Sequence, residues 1–212
     1  MTFITFEGPE GAGKTTQIAR LKHRLEAAGH NVVLTREPGG AEEAEALRAL
    51  LLDPARDWSS VSEALLMYAA RDAHWRQTIA PALEAGKVVL CDRFADSTEA
   101  YQVDADPAFI GVLRETIVPT EPQLTLLLDL DPAQGLGRAL ARSRADRFEQ
   151  KGLAYHQTVR ARFLAIAQRE PERVAVIAAD RSMDEVENQI AEAVNARLPN
   201  LLKPTDGRSA PS

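Results

Sequence analysis

The sequence predicts an α/β fold built on a five-stranded parallel sheet flanked by helices. Three observations carry this: five short, continuous apolar runs, helix-like segments between them, and a glycine-rich stretch directly after the first run. Continuous runs, unlike alternating ones, mark strands buried on both faces, as a parallel sheet requires. Regular alternation of strand and helix then gives a doubly wound arrangement.

The first run, Thr2 to Phe6, enters the glycine-rich stretch and continues into a helix from Lys14 to Ala28, which Gly29 ends. Val32 to Thr35 is the second strand, followed by a turn at Pro38-Gly39 and a helix from Glu42 to Leu52. Ser60 to Glu84 reads as a long helix interrupted by Pro81. Val88 to Cys91, Leu124 to Leu130 and Val174 to Ala178 supply the remaining strands, with further helices after Pro107, Pro132 and Phe148. The last helix starts at Ser182, where Glu185 three residues on completes a capping-box pattern, and runs to about Leu198 before Pro199. Residues 1–198 therefore read as one domain. From Pro199 to Ser212 the chain is rich in Pro, Ser and Gly with little to bury, which predicts a disordered tail.

Composition narrows the function. With 212 residues, 45% of them apolar, the chain can bury one substantial core. Its 25 Lys and Arg against 31 Asp and Glu give a net charge of -6, which argues against general affinity for nucleic-acid backbone or an anionic membrane. A single cysteine, Cys91, excludes an internal disulfide, and His23, His30, His74 and His156 lack zinc-site spacing. No stretch approaches the roughly 20 apolar residues of a membrane helix, and no basic segment precedes the first apolar run. The expectation is a soluble cytoplasmic protein.

The stretch Gly8-Pro9-Glu10-Gly11-Ala12-Gly13-Lys14-Thr15 fills every fixed position of a P-loop, with a strand before it and a helix after. Its glycines let successive backbone N–H groups turn inward toward phosphates, and the helix N-terminus adds its positive dipole. Lys14 would reach the β and γ phosphates of a nucleoside triphosphate, and Thr15 offers a hydroxyl to Mg²⁺. Thr16, in the first turn of the helix, is also placed at the ATP. The motif does not choose among GTPases, ATP-driven machines and small-molecule kinases. No Asn precedes a Lys, so an Asn-Lys-x-Asp guanine reader is missing, and the third apolar run ends in Asp92-Arg93 where an ATP-driven machine would carry Asp-Glu. An arginine at that place suits a second phosphate group.

With these stretches in view, the sequence resembles the bacterial thymidylate kinases, which pass the γ-phosphate of ATP to dTMP. The matching segments are FEGPEGAGKTT at Phe6 to Thr16, TREPGG at Thr35 to Gly40, YAAR at Tyr68 to Arg71, DRF and STEAYQ between Asp92 and Gln102, and DRFE at Asp146 to Glu149. They extend in order to about Leu198. The resemblance implies a P-loop kinase fold with a small mobile lid at about residues 135–150, ATP and dTMP as substrates, Mg²⁺ as cofactor, and a homodimer. Ser60 to Glu84 and the segment from Pro107 to Val118 are the candidate interface.

By the same resemblance, Arg71 reads the thymine edge, Thr98 and Gln102 hold the base, and Tyr101 lies against the deoxyribose. These last three recur at helical spacing. The aromatic residue usual one turn before the arginine is replaced by Met67, so ring stacking becomes a softer sulfur and methylene contact. Arg93, Arg36 and Arg48 would bind the acceptor phosphate as guanidinium forks, and Asp92 would hold Mg²⁺ through its water shell. The P-loop carries Glu10 and no arginine, so catalytic charge must come from the lid, where Arg138, Arg142, Arg144 and Arg147 cluster. Glu10 joins Lys14, Arg93 and Arg142 as a catalytic residue, near the acceptor sugar and orienting an arginine. Arg142 is the first choice for the transferring phosphoryl group, with Arg138 beside ATP. Asp180, after the last strand, is placed at the adenine. Two alternatives stay open: a kinase of the same fold acting on a deoxynucleoside or another monophosphate, and a P-loop nucleotide sensor without turnover.

Overall fold

The computed structural model of the chain describes residues 1–140, 147–148 and 150–204. Arg142 and Arg144, both offered from the sequence as lid arginines, lie outside the described residues. Five parallel strands, β1 (Thr2–Glu7), β2 (Val32–Arg36), β3 (Val88–Asp92), β4 (Leu124–Asp129) and β5 (Val174–Ala178), pair in the order β2-β3-β1-β4-β5. Each strand falls within about two residues of its sequence expectation. The central strand, β1, is flanked by β3 and β4, so the loops leaving β1 and β3 open side by side at the same sheet edge. That edge, at the carboxyl ends of the strands, is where doubly wound sheets bind ligands.

Helices α1 (Lys14–Ala27), α2 (Glu42–Leu52), α3 (Ser60–His74), α4 (Ala80–Glu84), α5 (Ala95–Tyr101), α6 (Pro107–Ile117), α7 (Pro132–Leu140), α8 (Leu153–Arg169) and α9 (Met183–Arg197) cover the sheet. On α1, Ile18, Leu21 and Leu25 recur on one face and pack with Phe6, Leu126 and Ile177 from the sheet and Ile190 from α9. Each such buried side chain contributes about 1.5–3 kcal/mol. Phe3, Val89 and Phe94 form a second cluster with Ile79 and Leu83. Thr5 and Thr125, both buried, share a hydrogen bond at 2.8 Å, so these polar residues of central strands are satisfied.

Two sequence expectations need correction. The long helix expected over Ser60 to Glu84 breaks before Pro81, not at it: residues Trp75–Ile79 widen into a π-helical turn. A proline ring clashes with the carbonyl four residues earlier, and the wider turn makes room for it. Within the expected tail, the described residues to 204 include a short docked piece between exposed neighbours. Leu201 and Leu202 pack against the main core, and the Leu201 carbonyl lies 2.8 Å from His30 Nε2. Residues 205–212 lie outside the described residues. The capping box at the last helix forms as expected, with Ser182 and Glu185 each satisfying the other's backbone N–H.

Candidate active site

β1 ends at Glu7, and the glycine-rich loop then turns back toward the start of α1. Gly11 has φ of 72°, a left-handed conformation that favours glycine. A Cβ at Gly11 would meet the backbone carbonyl of Gly135 in α7, and one at Gly135 would meet the carbonyl of Glu10. Gly135 is therefore a point of close backbone approach between α7 and the loop. The Lys14 ammonium is buried and donates to the carbonyls of Gly8 at 3.1 Å and Pro9 at 3.0 Å. Burial, with Arg93 nearby, pushes its pKa down to about 8. A cavity beside this lysine is lined by Glu10, Gly11, Gly13, Thr15, Arg36, Glu37, Arg48, Asp92 and Arg93.

Arg93 follows β3 with φ of 70°, unusual for a residue with a Cβ. Its Nη1 donates to the Gly8 carbonyl at 3.0 Å and to Ser97 Oγ at 3.2 Å, while Nη2 donates to Glu10 Oε1 at 2.9 Å. The guanidinium also lies 5.0 Å from the Tyr101 ring centre. Burial works against its charge, but Tyr101, Glu10, Asp92 and Glu7 outweigh that and raise its pKa. Glu10 accepts from the Tyr101 hydroxyl at 2.7 and 2.8 Å. Burial opposes the Glu10 charge as well, yet Arg93, Lys14 and Tyr101 hold its pKa below the usual value. The pair is thus a fixed, ionised bridge between the loop after β1 and the turn after β3.

A second cavity adjoins the first through Glu10, Glu37, Arg48 and Arg93, which line both. Its walls are Pro38, Leu52, Met67, Phe94, Tyr101 and Phe148, with Arg71, Ser97, Thr98 and Gln102 as polar groups. Arg71, on α3, is 2% exposed and donates through Nε to Glu37 Oε2 at 2.8 Å and through Nη2 to Thr98 Oγ1 at 2.9 Å. Its Nη1 is buried with no hydrogen-bond partner among the described residues. An ordinary surface arginine would pair with Glu63 or Asp72. Here Glu63 pairs with Arg147 and accepts from Gln102 at 2.6 Å, and Asp72 pairs with Arg76. Behind Arg71, Glu37 also contacts His74 Nδ1 at 2.9 Å, and His74 Nε2 contacts Thr35 Oγ1 at 2.5 Å. The Tyr68 ring, 4.6 Å from the Arg71 guanidinium carbon, covers the arginine and leaves the cavity to Met67.

On the far side of the glycine-rich loop, Gly11, Ala12, Gly13, Thr16, Gln17 and Arg138 line another cavity with Ala179, Arg181, Met183 and Val186. Asp180, offered from the sequence, is not part of this lining. Its side chain is half-exposed and pairs with Arg181 at 3.5 Å, so the residues before and after it face the cavity. Arg36, at the end of β2, is half-exposed and bonds Glu45 at 2.9 Å, while Arg48 Nη1 donates to the Pro38 carbonyl at 2.6 Å. Both face the cavity beside Lys14.

Residues 6–190 match the family described as thymidylate kinase. The chain belongs to the thymidylate kinase family. It is 56% identical over 201 residues to the thymidylate kinase of Caulobacter vibrioides, covering 92% of this chain and 97% of that one. The thymidylate kinase of Deinococcus radiodurans is 49% identical over 199 residues, with the same coverage of both chains. A crystal structure of the Ehrlichia chaffeensis thymidylate kinase superposes with a TM-score of 0.74 at 35% identity, covering 92% of this chain and 98% of that one.

Among the described residues, no group of three or more His, Cys, Asp and Glu side chains could hold a metal ion alone, and no helix is long and apolar enough to cross a membrane. Asp92 Oδ1 is nevertheless buried without a hydrogen-bond partner at the cavity shared with Thr15 and Lys14. A hard cation that takes most of its ligands from phosphate and water fits such a sparse donor set. Sequence reasoning missed Glu37, Phe94, Ser97, Leu52 and Phe148 as lining residues. Glu37, Phe94, Ser97 and Phe148 stand inside the quoted stretches TREPGG, DRF, STEAYQ and DRFE, so the signal was present without a role attached.

Proposed function

We propose that this thymidylate kinase family member transfers the γ-phosphoryl group of ATP to dTMP. The observation that carries the reading is the continuity of the two cavities: a base-sized pocket opens through Arg93 and Glu10 onto the P-loop. In this reading the backbone amides of residues 8–13 and Lys14 cradle the triphosphate, with Thr16 and Arg138 on its nucleoside side. Thr15 and Asp92 would hold Mg²⁺, which would supply positive charge to neutralise the phosphates.

The acceptor lies in the second cavity. Arg71 Nη1, the guanidinium nitrogen without a partner, donates to a carbonyl of the thymine edge, and Gln102 and Thr98 flank it. Met67 and Phe94 supply the apolar walls. Tyr101, fixed by its bond to Glu10, packs against the deoxyribose where a 2′-hydroxyl would be. Arg93, with Arg36 and Arg48, binds the acceptor phosphate. That phosphate is largely dianionic at neutral pH, its second pKa being about 6, so no strong general base is needed. The protein's work is to align two repelling anions and to neutralise the transferring group, the lid supplying further charge through Arg142. A nucleoside acceptor would leave the arginines at the shared cavity without their anion. Exposed Val61, Leu65 and Val112 on α3 and α6 support a homodimer as part of the proposal, and the free thiol of Cys91 suits a cytoplasmic setting.

ADP release measured with ATP, Mg²⁺ and a panel of dTMP, dUMP, dGMP, ribose-containing TMP and thymidine tests the reading. The expected result is strong preference for dTMP; turnover of thymidine in its place would overturn it. A second expectation concerns the base reader. Arg71→Lys keeps a charge beside Glu37 but loses the fork, and should raise KM for dTMP about tenfold with KM for ATP unchanged. Equal changes in both constants would remove Arg71 from the base pocket.

A further inference from the structure

We infer that Glu7, the last residue of β1, is a positioning residue for Arg93 and through it for the acceptor phosphate. This inference rests on the proposed role of Arg93. The Glu7 side chain is fully buried. Its Oε1 accepts from the backbone N–H of Phe94 at 2.7 Å and more weakly from that of Ser97 at 3.3 Å, and its Oε2 accepts from Ser97 Oγ at 2.5 Å. The Phe94 amide is an orphan donor at the start of α5, a helix whose own N-cap, Phe94, has no side-chain oxygen to offer, while the Ser97 amide also donates to the Phe94 carbonyl at 3.1 Å.

The contacts converge on one turn. Arg93 precedes the capped amide and sits in a left-handed conformation, φ 70°, that is unfavourable for a residue with a Cβ. Neighbours must hold it there. The Arg93 N–H donates to the Phe6 carbonyl at 2.9 Å, Cys91 Sγ donates to the Arg93 carbonyl at 3.0 Å, and Glu7 fixes the next N–H. Ser97 Oγ donates to Glu7 and accepts from Arg93 Nη1, so one hydroxyl relays the carboxylate's charge to the guanidinium. The other end of α5 is pinned by Arg162, which donates to the carbonyls of Glu99, Gln102 and Val103. Thr98, Tyr101 and Gln102 therefore ride on a short helix clamped at both ends, with Glu7 tying it to the strand that launches the P-loop.

A second buried carboxylate makes the contrast. Asp96 pairs with Arg114 at 2.8 Å and Arg173 at 2.7 Å, both leading away from the cavities, so it anchors the fold. Among the described residues, Glu7 has no such direct pairing. It is faced by Asp96 from α5, Arg93 from the turn, Cys91 from β3 and Lys14 from α1. Burial, and then repulsion by Asp96, push its pKa up to about 7 against the opposing pull of Arg93. A carboxyl whose folded pKa is raised binds its proton more tightly when folded. Stability therefore falls as pH rises from the unfolded value toward 7, and the charged form is retained at a cost to folding.

Glu7→Gln keeps the shape and removes the charge. The expected result is a loss of about tenfold in kcat/KM for dTMP with KM for ATP within twofold, since a hydrogen bond to a charged group exceeds a neutral one by about that much. The melting temperature of Glu7→Gln should meanwhile rise relative to the unaltered protein between pH 5 and pH 8. A carboxylate that only held the fold would lose stability and activity together. If kcat/KM for dTMP stays within twofold while the protein remains folded, Glu7 is a helix cap and no more. Should Glu7→Gln fail to fold, Ser97→Ala carries the test, because it cuts the relay and spares the bond to Phe94. It should lower kcat/KM for dTMP several-fold at unchanged KM for ATP, and an unchanged value would overturn the inference.

Discussion

Arg93→Ala is expected to lower kcat/KM for dTMP by about a thousandfold, the scale on which arginines that neutralise transferring phosphates act. The guanidinium does two jobs in the same place. It faces the cavity where the acceptor phosphate is proposed to lie, and it neutralises Glu10 at 2.9 Å. Removing it leaves the Glu10 carboxylate beside two incoming anions, with Lys14 and the Tyr101 hydroxyl as its remaining stabilisers. The phosphate loses a cation and meets an uncompensated anion. Arg93→Lys separates these effects: it restores a charge but not the fork that reaches Gly8, Ser97 and Glu10 together, and should recover only part of the loss. Steady-state kinetics with each substrate varied in turn provide the measurement. A fall of less than tenfold in Arg93→Ala would reduce the residue to a tie between loops.

The parts of this site that could be read from the sequence are those whose chemistry lies in consecutive residues. The P-loop needs its glycines, Lys14 and Thr15 adjacent, so eight letters suffice, and the five strands announce themselves as continuous apolar runs. Arg71, Arg93, Thr98, Tyr101 and Gln102, which line the second cavity, were legible as candidates only through the resemblance that their short motifs carry. What supports them was not. Glu37 sits behind Arg71 and His74 from positions 34 and 37 residues away from them, and Glu7 caps a helix 87 residues on. Such partners are chosen by sheet order, which places the ends of β1, β2 and β3 together. Asp180 stands apart for a related reason: Ala179 and Arg181 line the cavity, while the acidic side chain between them is half-exposed. The docked piece of the expected tail misled because Leu201 and Leu202 gain their burial from a core that local composition does not reveal.

Gly135 shows the same limit at the backbone level and leads to the other large effect. From the sequence, a glycine early in a helix reads as a place of looseness. In the fold it allows α7 to touch the loop proposed to hold the triphosphate, with Gly11 as the opposing surface. Gly11→Ala should lower kcat/KM for ATP by about a hundredfold, because shifting phosphate-binding backbone by about 1 Å can cost that much. Two causes add: a left-handed φ of 72° that alanine tolerates poorly, and a Cβ driven into the Gly135 carbonyl. Gly135→Ala isolates the second, since its Cβ meets the Glu10 carbonyl and no positive φ is involved. It should show a smaller loss in the same constant. The two variants together should fall short of the sum of their separate free-energy losses, as expected of residues sharing one contact. Binding of ATP measured calorimetrically in both variants decides between this account and simple unfolding: weakened binding by a protein of unchanged helical content supports the contact. Full ATP affinity in Gly135→Ala would mean that α7 moves away freely and does not brace the loop.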